Sequence, residues 1–205
     1  MKADDRRARQ RLGPPTLIWA LAVGLLAAGS GVSEGGRPPQ VPPRSTEPSL
    51  QVTTAEVGGH VLRIGVPPTW RKLRDDLTVM FAPEDGQAVV GGKAHVLYGV
   101  ELSVSRTTRG DPSGVLDDVV RMFKGTNPEL RSASITRLVT LAGRLGLRGT
   151  FANTSSVTGR PEFVVIAAAL LDPGRALYVV GVAPEERFGT FRPTLEAILL
   201  SLEKG

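Results

Sequence analysis

The 205-residue chain has no cysteine and two histidines. Without cysteine, disulfides and thiolate chemistry are excluded in any compartment. Aromatic residues make up 5% and apolar residues 41%, so the core is built from Val, Leu, Ile and Ala. Strong charge of one sign is also missing. The net charge is +5, but residues 1–30 hold five Lys and Arg against two acids, which leaves 20 basic and 18 acidic residues in 31–205. A surface so nearly balanced gives no steering of polyanions, and a nucleic-acid partner is not expected.

Catalytic motifs are missing too. There is no His-Glu-x-x-His, and His60 and His95 lie far apart with no acidic partner at a ligand spacing. A serine hydrolase needs a base beside its nucleophile, and no Gly-x-Ser-x-Gly elbow occurs. The small-residue run up to Gly159-Arg160 lacks the Gly-Lys-Ser/Thr ending of a nucleotide loop. Pro83-Glu84-Asp85-Gly86 is an acidic turn without the alternating carboxylates of an EF-hand. Asp117 and Asp118 are adjacent on a predicted helix, about 100° apart, and do not converge. No residue is assigned a catalytic, cofactor-binding or metal-binding role, and no cofactor is expected.

The amino terminus reads as an address. Arg6, Arg7, Arg9 and Arg11 precede an unbroken apolar run from Leu17 to Ala28, followed by Gly29-Ser30-Gly31. That order marks residues 1–30 as a signal peptide or signal anchor. If uncleaved, residues 15–32 hold the chain to a membrane with the remainder outside. Residues 31–49 are proline-rich, with five prolines in 34–49, and form a disordered linker that cannot bury a core.

From residue 50 the apolar period is mostly two. "LQVTTAEV" and "HVLRIGV", joined by Gly58-Gly59, predict a hairpin. "LTVMFA" predicts a strand, residues 84–94 a glycine-rich loop, and "HVLYGVELSVSRT" one long strand. Asp111 and Pro112 begin a helix with Val115, Leu116, Val119, Met122 and Phe123 on one face and Gly125 as its carboxyl-terminal cap. Four strand segments from Ala133 to Ala183 with short connections predict an antiparallel meander. A last helix is placed near 190–203, with Pro193 in its first turn. The fold class is α+β, an antiparallel sheet with helices packed on it.

The runs "VLRIGVPPTW" and "VTLAGRLGLRGTF", with Thr158-Gly159-Arg160-Pro161-Glu162 and the segment Ala183-Pro184-Glu185-Glu186-Arg187-Phe188-Gly189-Thr190-Phe191-Arg192-Pro193, resemble the PsbP-like superfamily. The similarity is nearest to a bacterial version found behind zinc metallopeptidase domains, and it covers roughly 57–203. The peptidase half is absent. The resemblance implies an α/β/α sandwich over 50–205, a setting in the periplasm or cell envelope, and binding of a protein partner rather than catalysis. By analogy with the fused arrangement alone, a separately encoded metalloprotease is one candidate for that partner. A small-ligand-binding or sensor domain is the alternative, and an unrecognised hydrolase a distant one.

The loops 84–95, 106–112 and 154–161 are the places for recognition on such a scaffold. Arg106, Arg109, Arg160 and Arg187 are read as dispersed solvated charges in preference to one anion- or protein-binding edge. Asn153-Thr154-Ser155 is a glycosylation sequon, read here as part of a turn between two central strands.

Overall fold

A computed structural model describes residues 48–74 and 77–205. The signal segment, the 15–32 anchor and the linker up to residue 47 lie outside the described residues. The described chain runs β1 (Gln51–Val57), β2 (His60–Val66), β3 (Arg71–Arg74), β4 (Thr78–Ala82), β5 (Gln87–Val90), β6 (Lys93–Val96), β7 (Gly99–Arg106) and α1 (Pro112–Thr126). It continues through β8 (Arg131–Ser132), β9 (Arg137–Leu141), β10 (Arg144–Thr154), β11 (Pro161–Asp172), β12 (Arg175–Pro184), α2 (Glu185–Leu200) and β13 (Glu203–Lys204). None of its helices is long and apolar enough to cross a membrane.

The main sheet has the order β3-β4-β7-β12-β11-β10-β8, with β9 also paired to β10, and β9 to β12 form the expected meander. Alternation along β11 sends its side chains to two cores. Val165, Ala167, Ala169 and Leu171 face a layer made by α2 and the small sheet β1-β2-β13. Val164, Ile166 and Ala168 face α1, through Val115, Leu116 and Val119. The near-continuous apolar character of this strand follows from being covered on both faces.

The β1–β2 hairpin forms as expected, with Gly58 and Gly59 at φ 55° and 79°. Four boundaries differ from the sequence reading. Residues 87–96 are a second hairpin, turning at Gly91-Gly92 with φ 58° and 77°, rather than a loop. The long strand predicted from His95 is broken at Leu97-Tyr98, whose amides both donate to the Gly86 carbonyl. In α1 the helix runs through Gly125, and Asn127 caps it by donating its backbone N–H and Nδ2 to the Phe123 carbonyl. At the amino end of α1, Asp111 accepts from the Gly114 amide at 2.8 Å, as expected of a cap. Finally, α2 begins at Glu185, so Pro193 sits in its interior. A proline there costs roughly 3 kcal/mol. Burial of Phe191, Leu195, Ile198 and Leu199 offsets it, each fully buried side chain contributing about 1.5–3 kcal/mol.

Candidate functional site

The strands of the meander set the two ends of the sheet about 40 Å apart, at about 3.3 Å per residue of β11. Two of the four segments that carry the PsbP-like resemblance, 158–162 and 183–193, meet at one end. Register places Glu162 opposite Pro184 and Pro161 opposite Thr154, so the 155–160 turn stands beside the start of α2. Both segments line a cavity of about 380 Å³ together with Asp85 and Tyr98. Pro161 is the first residue of β11, where its missing N–H is tolerated.

The α2 segment has physical reasons for its residue types. The Arg187 guanidinium lies 3.9 Å from the Tyr98 ring centroid and pairs with Asp85 at 3.0 Å. Phe188 packs on Phe163 with centroids 4.7 Å apart. Phe191 is fully buried between Trp70 and Tyr98, at 6.3 and 5.1 Å. Trp70, directly after the double proline and partly buried, thus closes the edge of a core.

The four arginines do not form one edge. Arg160 and Arg187 line the cavity at the 155–160 end. Arg106 closes β7 at the other end, where the Thr107 amide donates to Gly174. Arg109 pairs with Asp118 at 3.3 Å, and Arg121 reaches the same carboxylate at 3.1 Å. Asp118 therefore ties the 107–111 loop to α1. Glu84 and Asp85 are likewise paired, with Arg71 and Arg187. His60 has an acidic neighbour that spacing in the chain did not show. Its Nδ1 lies 3.6 Å from Asp172, which also faces Lys204 at 3.6 Å. Among the described residues no cluster of three or more His, Asp or Glu could hold a metal ion.

The sequon asparagine is not a surface residue. Asn153 is 7% exposed, and its Nδ2 donates to Glu162 Oε1 at 2.8 Å. Turning the amide over would set its oxygen against that carboxylate, so the orientation is fixed by charge. Its Oδ1 is the one buried side-chain polar atom among the described residues without a hydrogen-bond partner. An unpaired buried carbonyl costs about 1–3 kcal/mol.

A different surface is apolar. Leu138, Leu145 and Leu200 are 69%, 59% and 79% exposed. With Leu199 they line an open cavity of about 390 Å³, bordered by Arg148 and Glu196, which pair at 3.1 Å. β9, which carries Leu138, pairs only with β10. The sequence signal for this patch is that Leu138, Val139 and Leu141 place apolar residues on both parities of one edge strand.

No family model matches the chain, and no curated protein matches it. Solved structures do. Cyanobacterial PsbP from Synechocystis is similar at 12% identity with a TM-score of 0.51, over 79% of this chain and 96% of that one. LpqN of Mycobacterium tuberculosis, involved in cell envelope biogenesis, gives 16% identity and a TM-score of 0.47, over 75% of this chain and 90% of that one. A protein of Bacteroides thetaiotaomicron gives 9% identity and 0.46 over 78% of this chain, which spans about half of that protein's length, 49%. The sheet order, the two helices and the match to nearly the whole of cyanobacterial PsbP together identify the fold of the described residues as PsbP-like.

Proposed function

We propose that this chain is an exported, non-catalytic PsbP-like module that docks a protein partner at the cell envelope. The leucine patch carries the reading. Three large exposed apolar side chains, Leu138 of β9, Leu145 of β10 and Leu200 of α2, line one open cavity and mark an interaction surface. Arg137 and Arg144 bound β9 and β10 at this edge, so the partner surface has an apolar centre and an acidic rim. Export is supported by the basic and apolar order of residues 1–30.

The test is site-specific photo-crosslinking of the full chain in its native host. A photoreactive residue at position 138 or 200 gives one discrete adduct in the envelope fraction. The same residue at position 124, on α1, gives none. Leu145→Arg abolishes the adduct while leaving the thermal midpoint unchanged, since the position is exposed. Adducts of equal yield from 124 and 138, or none from 138 and 200, overturn the proposal.

A further inference from the structure

A groove of about 600 Å³ lies between α2 and the strands β10 and β11. Small-molecule sites measure ~300–1,000 Å³. The 133–135 segment borders it, held by the Ala133 and Ser134 amides, which donate to the Thr150 carbonyl. Part of its lining is apolar. Phe163 and Phe188 are partly buried, with ring centroids 4.7 Å apart, and Val165 and Leu195 lie beside them. Its charged side chains are Arg137, Arg148, Arg192 and Glu196. Arg137 stands directly opposite Arg148 in the β9–β10 register, so the two side chains share a face of the sheet. On α2, Phe188, Arg192, Leu195 and Glu196 follow helical spacing along one side. Glu196 neutralises Arg148, at 3.1 Å. Arg137 and Arg192 are exposed, and neither has an ion pair or a side-chain hydrogen bond among the described residues.

These features select one kind of ligand. Like charges set opposite each other across two strands are unfavourable, and an anion relieves them. A guanidinium presents parallel N–H donors that match the oxygens of a carboxylate or phosphate. The two phenylalanine rings favour an aromatic body, packed offset or edge-on. A cation would meet three positive charges against one negative, and an inorganic anion would leave the rings uncovered. We propose that this groove binds a small organic anion with an aromatic body. Arg137 and Arg192 take its carboxylate or phosphate oxygens, and the body lies against Phe163 and Phe188. The Arg148–Glu196 bridge also borders the leucine edge, but this site does not rest on docking there.

The experiment is calorimetric titration of the full chain, without any partner, with 4-phenylbutyrate, 4-phenyl-1-butanol, 4-phenylbutylammonium and acetate. Phenylbutyrate binds saturably and at least about tenfold more tightly than phenylbutanol, and raised salt weakens it. Acetate and phenylbutylammonium do not bind. Arg137→Gln and Arg192→Gln each weaken phenylbutyrate about fivefold, as expected for exposed charge pairs. Arg106→Gln, at the other end of the sheet, leaves it unchanged. If a groove variant does not fold, the wild-type preference for the anion over the alcohol and the ammonium decides alone. No saturable binding up to tens of millimolar, equal binding of phenylbutanol, unchanged affinity in both folded groove variants, or an equal loss in Arg106→Gln overturns the site. 4-Phenylbutyl phosphate supplies the second arm. Tighter binding than phenylbutyrate assigns the site to a phosphate and weaker binding to a carboxylate, and either upholds it.

Discussion

Gly58 and Gly59 share a turn but carry different constraints. Both have positive φ, which costs a residue with a Cβ about 1–2 kcal/mol. Around Gly59 there is open space, whereas a Cβ on Gly58 would stand 2.7 Å from Val104 Cβ. Gly59→Ala is therefore expected to lower stability by about 1 kcal/mol, and Gly58→Ala by a further 1–3 kcal/mol or so of steric strain. Urea midpoints of the two variants check the order, and equal losses would show that the hairpin shifts freely over β7. Asn153 teaches a related lesson. Its neighbours in sequence are hydroxyls and glycine, and they read as a turn. Only pairing of β10 with β11 brings Glu162 within 2.8 Å and turns a sequon into a buried hydrogen bond.

At the scale of elements, Pro193 is the clearest misfit. It lies inside α2, exposed, with no interior amide to offer. Pro193→Ala is expected to raise stability, by up to about 3 kcal/mol. Thermal denaturation of the full chain reads this as a higher midpoint, and a lower one would mean that α2 draws stability from the proline ring. The elements that sequence reveals are those with a strong local signal. Gly58-Gly59, Asp111-Pro112 and the apolar run of β11 each announce themselves. The 87–96 hairpin does not, because Val89 and Val90 are exposed and the segment has no buried face to impose a period. The start of α2 is hidden for another reason. Proline rules point to Pro193, while the first-turn acids Glu185 and Glu186 after Pro184 mark the true beginning. The leucine edge adds Leu200 of α2 to Leu138 and Leu145 of the β9–β10 hairpin, so the sequence around the hairpin shows only part of it.

For the whole molecule, one buried acid ties stability to pH. Burial raises the Tyr178 phenol above its ordinary 10.0; the Ser103 hydroxyl pulls it down and Glu101 adds to the rise. The folded state thus keeps this proton when the unfolded chain releases it. That contribution is whole below pH 10.0 and is lost as pH climbs through the higher folded value. Between about pH 9 and about pH 11 the wild type should lose stability faster than Tyr178→Phe in denaturant titrations. Parallel curves would show that the phenol is not held by its burial.

The small sheet joins residues from opposite ends of the described chain. β13 pairs with β2, the Gly65 amide donates to Ser201 Oγ at 2.8 Å, and the Gly205 amide donates to the Val61 carbonyl at 2.9 Å. A purification tag placed after Gly205 therefore hangs from the outer edge of the first hairpin. Strain from a short or bulky fusion is felt at His60 and Val61, whereas a spacer that leaves Glu203–Gly205 paired keeps the hairpin closed.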